Sequence, residues 1–345
     1  MVGRSSAEAS VQRLPPARAA KRAPGPWRLA LKGFRSDRTA VAFAVLFVLL
    51  CAAALAAPLY AEHVAHTTPA ANHITERTTI DGKPTDIVSV DGIPIGPTWQ
   101  SEFFLGADEN GRDLMVRILY GARASLQIGF AALLITLTIA IPLALAAGYF
   151  RGRTDAVISR LFDVIWSFPA LLLGAMLGTA INLRGADIGP IEIKGGTKLI
   201  PILVIGLVYI PYIARPLRGQ VLALREQRFV EAARALGVRP IRMMASELLP
   251  HLWPSILVLS MLLLANAVVL ETALSYLGAG VNPPEPSFGT LIADGIENVR
   301  ISTHLLLAPC VALVLFVLSM SGLAEGLRRA LDPHRKLGVD LLRGR

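Results

Sequence analysis

The chain has 345 residues, of which 53% are hydrophobic and only 17% charged, with 34 Lys/Arg against 25 Asp/Glu. A mean hydropathy of +0.54 is too high for a water-soluble globule and excludes disorder and collagen-like repeats. The apolar residues gather into blocks of about 20, the length a helix needs to cross a roughly 30 Å hydrocarbon layer, so the composition reads as a polytopic, all-α membrane protein.

Six segments qualify as spans: Ala40–Leu59, Ser125–Gly148, Leu161–Ile181, Leu199–Ala214, Ile256–Leu277 and Leu305–Leu323. A basic leader of 38 residues before the first is too long for a cleaved secretory signal and reads as a signal anchor. Cys51 and Cys310 both lie inside apolar runs and read as small buried hydrophobes rather than a disulfide pair or metal ligands.

An even number of crossings puts both termini on one side. Residues 1–38 carry nine Lys/Arg, 149–160 three, 215–255 seven and 324–345 six, while all segments on the other side hold nine. The positive-inside rule therefore predicts cytoplasmic termini, and the basic excess reads as topology rather than a nucleic-acid footprint. The chain divides into a basic cytoplasmic tail (1–38), a first transmembrane helix (39–60), an extracytoplasmic segment (61–124), a five-helix core (125–323) and a second cytoplasmic tail (324–345).

Within 61–124, the pairs Asp81-Gly82 and Asp91-Gly92 flank a β-branched run and predict turns around a short strand, a small β element without a core of its own. Leu114, Met115, Ile118 and Leu119 share one helical face, predicting a helix along the outer membrane surface that leads into the second span. His63, His66 and His73, with Glu62, lie in a polar Thr/Ala/Asn stretch and read as a solvated loop rather than a metal site.

No Gly-x4-Gly-Lys-Ser/Thr loop, His-Glu-x-x-His or Gly-x-Ser-x-Gly occurs, so the chain is expected to move or bind a solute without chemistry of its own. The segment 215–255 is the most informative. Phe229, Ala232, Ala233 and Leu236 fall on one helical face, Gly237 suits a left-handed helix end, and Pro240 suits the first turn of a second helix. Two short helices at an angle would form a knob suited to a groove on a soluble partner.

These residues resemble the EAA loop of ABC importer permeases, with Glu231, Ala232, Ala233 and Gly237 at the motif positions. Two residues before the matching Leu249-Pro250, where the family has an apolar residue, this chain has Glu247. Leu105-Gly106-Ala107-Asp108, Gly111-Arg112-Asp113, Gly121-Ala122-Arg123-Ala124-Ser125-Leu126 and the run from Leu274 to Gly289 resemble the dipeptide, oligopeptide and nickel permeases. Ala107 replaces a usual Thr, and Val116 a usual Ser.

The resemblance implies the type I ABC importer permease fold in a bacterial cytoplasmic (inner) membrane. It also implies four partners: a second homologous permease, two ATP-binding cassette subunits and an extracytoplasmic binding protein. ATP and Mg would be used by the partner ATPase and no cofactor bound by this chain. Phe229, Glu231, Ala232, Ala233, Leu236 and Gly237 would couple to that ATPase. Glu271, an acid inside the fifth span, has two readings: a pathway contact for a peptide's ammonium group, or a hydrogen bond locking helices together. Asp163 is expected to reach interfacial water or Arg160. A secondary transporter or channel would need no EAA knob, and an intramembrane enzyme would need a catalytic constellation.

Overall fold

The computed structural model describes residues 26–331, leaving out Asp81, 189–190 and 194–196; the basic tail 1–25 and the tail beyond 331 lie outside the described residues. In chain order come helices α1 (Pro26–Ser36), α2 (Arg38–Leu55) and α3 (Ala57–His63), then strands β1 (Arg77–Ile80) and β2 (Lys83–Asp86). Helices α4 (Leu114–Phe150), α5 (Gly152–Trp166) and α6 (Ala170–Arg184) follow, then β3 (Ala186–Ile188) and β4 (Ile191–Ile193). The chain continues through α7 (Leu199–Val208), α8 (Ile210–Arg225), α9 (Arg228–Ala235), α10 (Pro240–Arg242), a π-helical turn over Met243–Leu248, α11 (Leu249–Tyr276), α12 (Phe288–Glu297) and α13 (His304–Leu331).

Among the described residues, five helical stretches are long and apolar enough to cross a membrane, and the bent pair α5–α6 makes a sixth when counted as one span. The third expected span, Leu161–Ile181, is therefore not a straight helix. It is broken between Trp166 and Ala170 by a 78° bend. Pro169 explains the break: it cannot donate to the preceding turn, and it pushes Phe168 out of the helical region.

The surface helix expected at Arg112–Tyr120 begins at Leu114 and is the first part of α4, which runs to Phe150 for 37 residues, or ~55 Å. Nothing in residues 114–125 breaks a helix, and this portion is packed rather than laid on a membrane surface: Val116, Arg117, Ile118 and Leu119 are all buried. Asp113 caps it, its Oδ1 accepting from the Val116 N–H at 3.0 Å while Oδ2 accepts from the Phe103 N–H at 2.8 Å.

The core is built along α4, which packs against α8, α7 and α11; α13 packs against α11 and α2, with α12 beside it. Close approach of α4 to α8 depends on Gly148, where a Cβ would stand 2.6 Å from Val221. The β1–β2 hairpin pairs Ile80 with Lys83 and Arg77 with Asp86, and Gly92, at φ 75°, turns the chain back so that Val88 bridges Pro94. This segment does bury a small cluster of its own, Ile87, Val88, Phe103 and Ala107, in contrast to the coreless element expected. Apolar side chains spaced over twenty residues meet there only because the second turn folds the chain back.

Candidate functional site

Residues 215–255 are less a loop than the ends of two long helices with α9 between them. α8 extends to Arg225, and the helical stretch Pro240–Tyr276 is continuous through the π-helical turn. The second short helix expected after Pro240 is thus the start of the fifth span, because the π-helical turn carries the helix on into the proline-containing segment that follows. The π-turn accommodates Pro250, whose missing N–H would leave the Ser246 carbonyl unpaired in a strict α-helix.

α9 ends as the residue types require. Gly237 adopts φ 75°, its N–H reaches Arg234 O at 2.9 Å, and the Val238 N–H closes back to Ala233 O at 3.1 Å. The four residues expected on one face are divided between two. Phe229 and Ala233 turn inward with the fully buried Val230 and pack on the cluster formed by α4, α8 and α11. Glu231, Ala232 and Leu236 turn outward, and Leu236 is 84% exposed. The division follows from helical geometry: Val230, about 100° round the helix from Phe229 and about 60° from Ala233, sets the inward direction, and Ala232 and Leu236 at the far edge of the expected face turn out. Sequence reasoning missed Ile241, 77% exposed one residue past Pro240; its signal was an apolar residue among charged ones.

The base of this knob is tied to the bundle by arginines. The Arg234 and Arg225 guanidiniums lie 5.4 and 5.9 Å from the ring of Tyr149 at the end of α4. Arg151 pairs with Glu226 at 2.8 Å, and Arg218 of α8 binds Asp155 of α5, its Nη2 reaching Oδ2 at 2.6 Å. Asp163 is paired with Arg215 at 2.7 Å rather than with Arg160. Glu247, the departure from the family pattern, sits half-buried in the π-turn and accepts from Ser246 Oγ at 3.2 Å.

Glu271 is completely buried. Its Oε2 accepts from Ser125 Oγ of α4 at 2.5 Å and its Oε1 from Ser275 Oγ at 2.7 Å; Ser275 Oγ in turn accepts the Val281 N–H at 2.9 Å. The hydroxyls of Ser125 on α4 and Ser275 on α11 thus meet the polar cost of burying this carboxyl and join the two helices through it.

At the end of the bundle opposite α9, a second buried polar group holds α4 to α12. Arg117, 1% exposed, is ion-paired with Asp108 and lies 3.3 Å from Asp294; Arg112 Nε reaches Asp108 at 2.7 Å. Burial pushes the Asp294 carboxyl above its ordinary range, opposed by Arg117 and Arg112. His73, one of the three histidines singled out, has Nε2 at 2.8 Å from Thr67 Oγ1 and Nδ1 at 2.9 Å from Glu76. Cys51 and Cys310 are free and half-buried.

Comparison with known proteins places this geometry. Residues 140–337 match the family of binding-protein-dependent transport system inner membrane components, and residues 25–75 match the N-terminal TM domain of oligopeptide transport permease C. The chain is 30% identical to the dipeptide transport system permease protein DppC of Alkalihalophilus pseudofirmus, covering 90% of this chain and 91% of that one. It is also 30% identical to the oligopeptide transport system permease protein OppC of Bacillus subtilis, covering 89% of each. The glutathione transport system permease protein GsiD of Pectobacterium atrosepticum is 33% identical over 70% of this chain and 75% of its own. A chain of the MetNI methionine ABC transporter, solved in inward-facing conformations, superposes with a TM-score of 0.51 at 20% identity, over 64% of this chain and 98% of that one, a likeness of fold. With five helical stretches long and apolar enough to cross a membrane and one bent pair among the described residues, and a family match over more than half its length, the chain belongs to the binding-protein-dependent transport system inner membrane components, the permease subunits of ABC importers.

Proposed function

We propose that this chain is one of two permease subunits of an ATP-driven importer for peptides, whether dipeptides, oligopeptides or glutathione, delivered by an extracytoplasmic binding protein. The reading draws its solute from relatives that are dipeptide, oligopeptide and glutathione permeases. Two ATPase subunits bind and hydrolyse MgATP; this chain contributes no phosphate-binding loop. Its contribution is coupling, and the observation that carries this is the α9 knob. Leu236 and Ile241 stand exposed beside Ala232 and Glu231, while Val230, Phe229 and Ala233 root the same helix in the transmembrane core. A surface of small and aliphatic side chains seats in a groove of a soluble ATPase, and a buried root transmits its displacement to α4, α8 and α11.

In this reading the knob and both termini are cytoplasmic, in keeping with the Lys/Arg distribution. An impermeant thiol reagent on intact cells, or on spheroplasts where an outer membrane intervenes, would label Val90→Cys, and Leu236→Cys only after lysis. Reversed labelling refutes the orientation. The function itself is tested by reconstituting the permease pair with its ATPases and binding protein. Peptide-stimulated ATP hydrolysis and ATP-dependent uptake of labelled peptides are expected. A complex that couples hydrolysis to some other solute and takes up neither peptides nor glutathione refutes the peptide assignment.

A further inference from the structure

At the end of the bundle away from α9 lies a cavity of about 400 Å3 between α4 and the loops that close that end. Tyr120, Arg123 and Gln127, about one helical turn apart on α4, line one wall; Lys198, just before α7, and Glu285, from the loop after α11, line the other. The volume falls within the roughly 300–1,000 Å3 usual for small-molecule sites.

The charges in this cavity are unevenly matched. Lys198 and Glu285 pair at 3.0 Å and neutralise each other. Arg123 has no hydrogen bond or ion pair among the described residues, and its Nε is buried without an acceptor. A guanidinium presents five donors in a planar fork, so leaving its buried Nε without an acceptor is costly. Six residues earlier on the same helix, Arg117 has Asp108 and Asp294 to receive it. The fold thus supplies carboxylates to the arginine that holds helices together and withholds them from the one that faces the cavity. An arginine fork is geometrically matched to a carboxylate, which it binds through two parallel hydrogen bonds.

We propose that this cavity is a recognition site for a carboxylate of the translocated solute, with Arg123 as the group that receives it. For a peptide, this is the C-terminal carboxylate. The inference rests on the peptide-import reading and assigns that reading a chemical contact. The neutral Lys198–Glu285 pair and the Tyr120 ring leave the rest of the cavity tolerant of side-chain identity, so the site reads the end of a peptide and not its sequence.

The test uses the complete importer in proteoliposomes, with trialanine and its C-terminal amide as probes, each at a concentration that saturates the binding protein. The parent should transport the acid faster than the amide. Arg123→Gln should lower the maximal rate for the acid about tenfold or more, the loss of a charged hydrogen-bond partner, and leave the amide unchanged; Arg123→Lys should retain part of the preference. A second arm omits the binding protein, so that its own selectivity does not enter. Millimolar trialanine, but not the amide, should slow thiol labelling of Gln127→Cys, and adding Arg123→Gln should abolish that protection. Equal loss for acid and amide in Arg123→Gln would instead assign the guanidinium to docking of the binding protein and overturns the proposal, as does an absence of protection. A parent that imports neither probe refutes the peptide reading, and this ligand with it.

Discussion

Phe229 of α9 lies flat against His251 of α11, with ring centroids 4.8 Å apart and planes inclined by 22°. His251 is itself oriented, its Nδ1 2.6 Å from the Glu247 carbonyl. The stack fastens a short helix, too short to be stable alone, to the start of the fifth span. Phe229→Ala should therefore free α9 without unfolding the bundle, at a cost of about 1–2 kcal/mol for a half-buried ring. Limited trypsin digestion of the detergent-solubilised protein should cut faster at Arg228 and Arg234 in the variant. Unchanged cleavage rates would show that Val230, Ala233 and the Arg234–Tyr149 contact secure the helix without the stack.

The inward and outward faces of α9 make distinguishable predictions. Leu236→Arg and Ile241→Arg alter exposed positions, and their effect on thermal stability should stay within about 0.5 kcal/mol. Co-purification of the ATPase should nonetheless fall at least several-fold. Ala233→Arg presses a long charged chain into the permease's own packing and should cost about 1–3 kcal/mol before any partner is present. If Leu236→Arg and Ile241→Arg both retain the ATPase, the groove is filled by other residues.

Arg117 should be among the positions least tolerant of change. Truncating one member of a buried ion pair leaves the other charge unpaired and costs about 3–5 kcal/mol. Arg117→Met should lower the melting temperature in detergent markedly. Adding Asp108→Asn should restore part of the loss, since it removes a carboxylate that would then have Arg112 as its one remaining arginine partner. Additive losses in the double variant would mean that the two residues do not interact.

Asp113 makes stability depend on pH. Burial raises its carboxyl above the ordinary value of 3.8, outweighing the N–H groups that favour the anion. The folded protein therefore holds this proton more tightly than the unfolded chain does. The contribution is full below 3.8, declines as pH rises through the window up to the raised value, and is lost above it. Asp113→Asn does not titrate, so the stability of the parent relative to this variant should fall across that acidic window. A constant difference from pH 3.5 upward, roughly where unfolded carboxyls begin to ionise, would exclude Asp113 as the source.

Apolar block length made five crossing helices legible, and Gly237 with Pro240 marked the end of one helix and the start of the next. The readings that needed revision share a physical cause. Hydropathy averages over a window, so the bend around Pro169 disappeared inside an apolar run that is continuous in composition. Helical periodicity states which residues share a face but not which way that face points, so Phe229 and Leu236 were grouped although one is rooted and the other free. Glu271 and Arg117 each have one partner far along the chain, with Ser125 and Glu271 separated by 146 residues and Arg117 and Asp294 by 177. No local pattern encodes such a meeting; it follows from which helices pack together.

The unbroken course of α4 has a mechanical consequence. Arg123 near one end and Tyr149 near the other belong to a single helix and stand ~39 Å apart. Tyr149 is gripped by Arg225 and Arg234, and the far end is gripped by Asp108 through Arg117. A rod of ~55 Å held at both extremities swings its tip by about 1 Å for each degree of tilt about the other end. Small rotations suffice for leverage, and Pro142, which interrupts the hydrogen-bond ladder between the two grips, is where that rod has its softest joint.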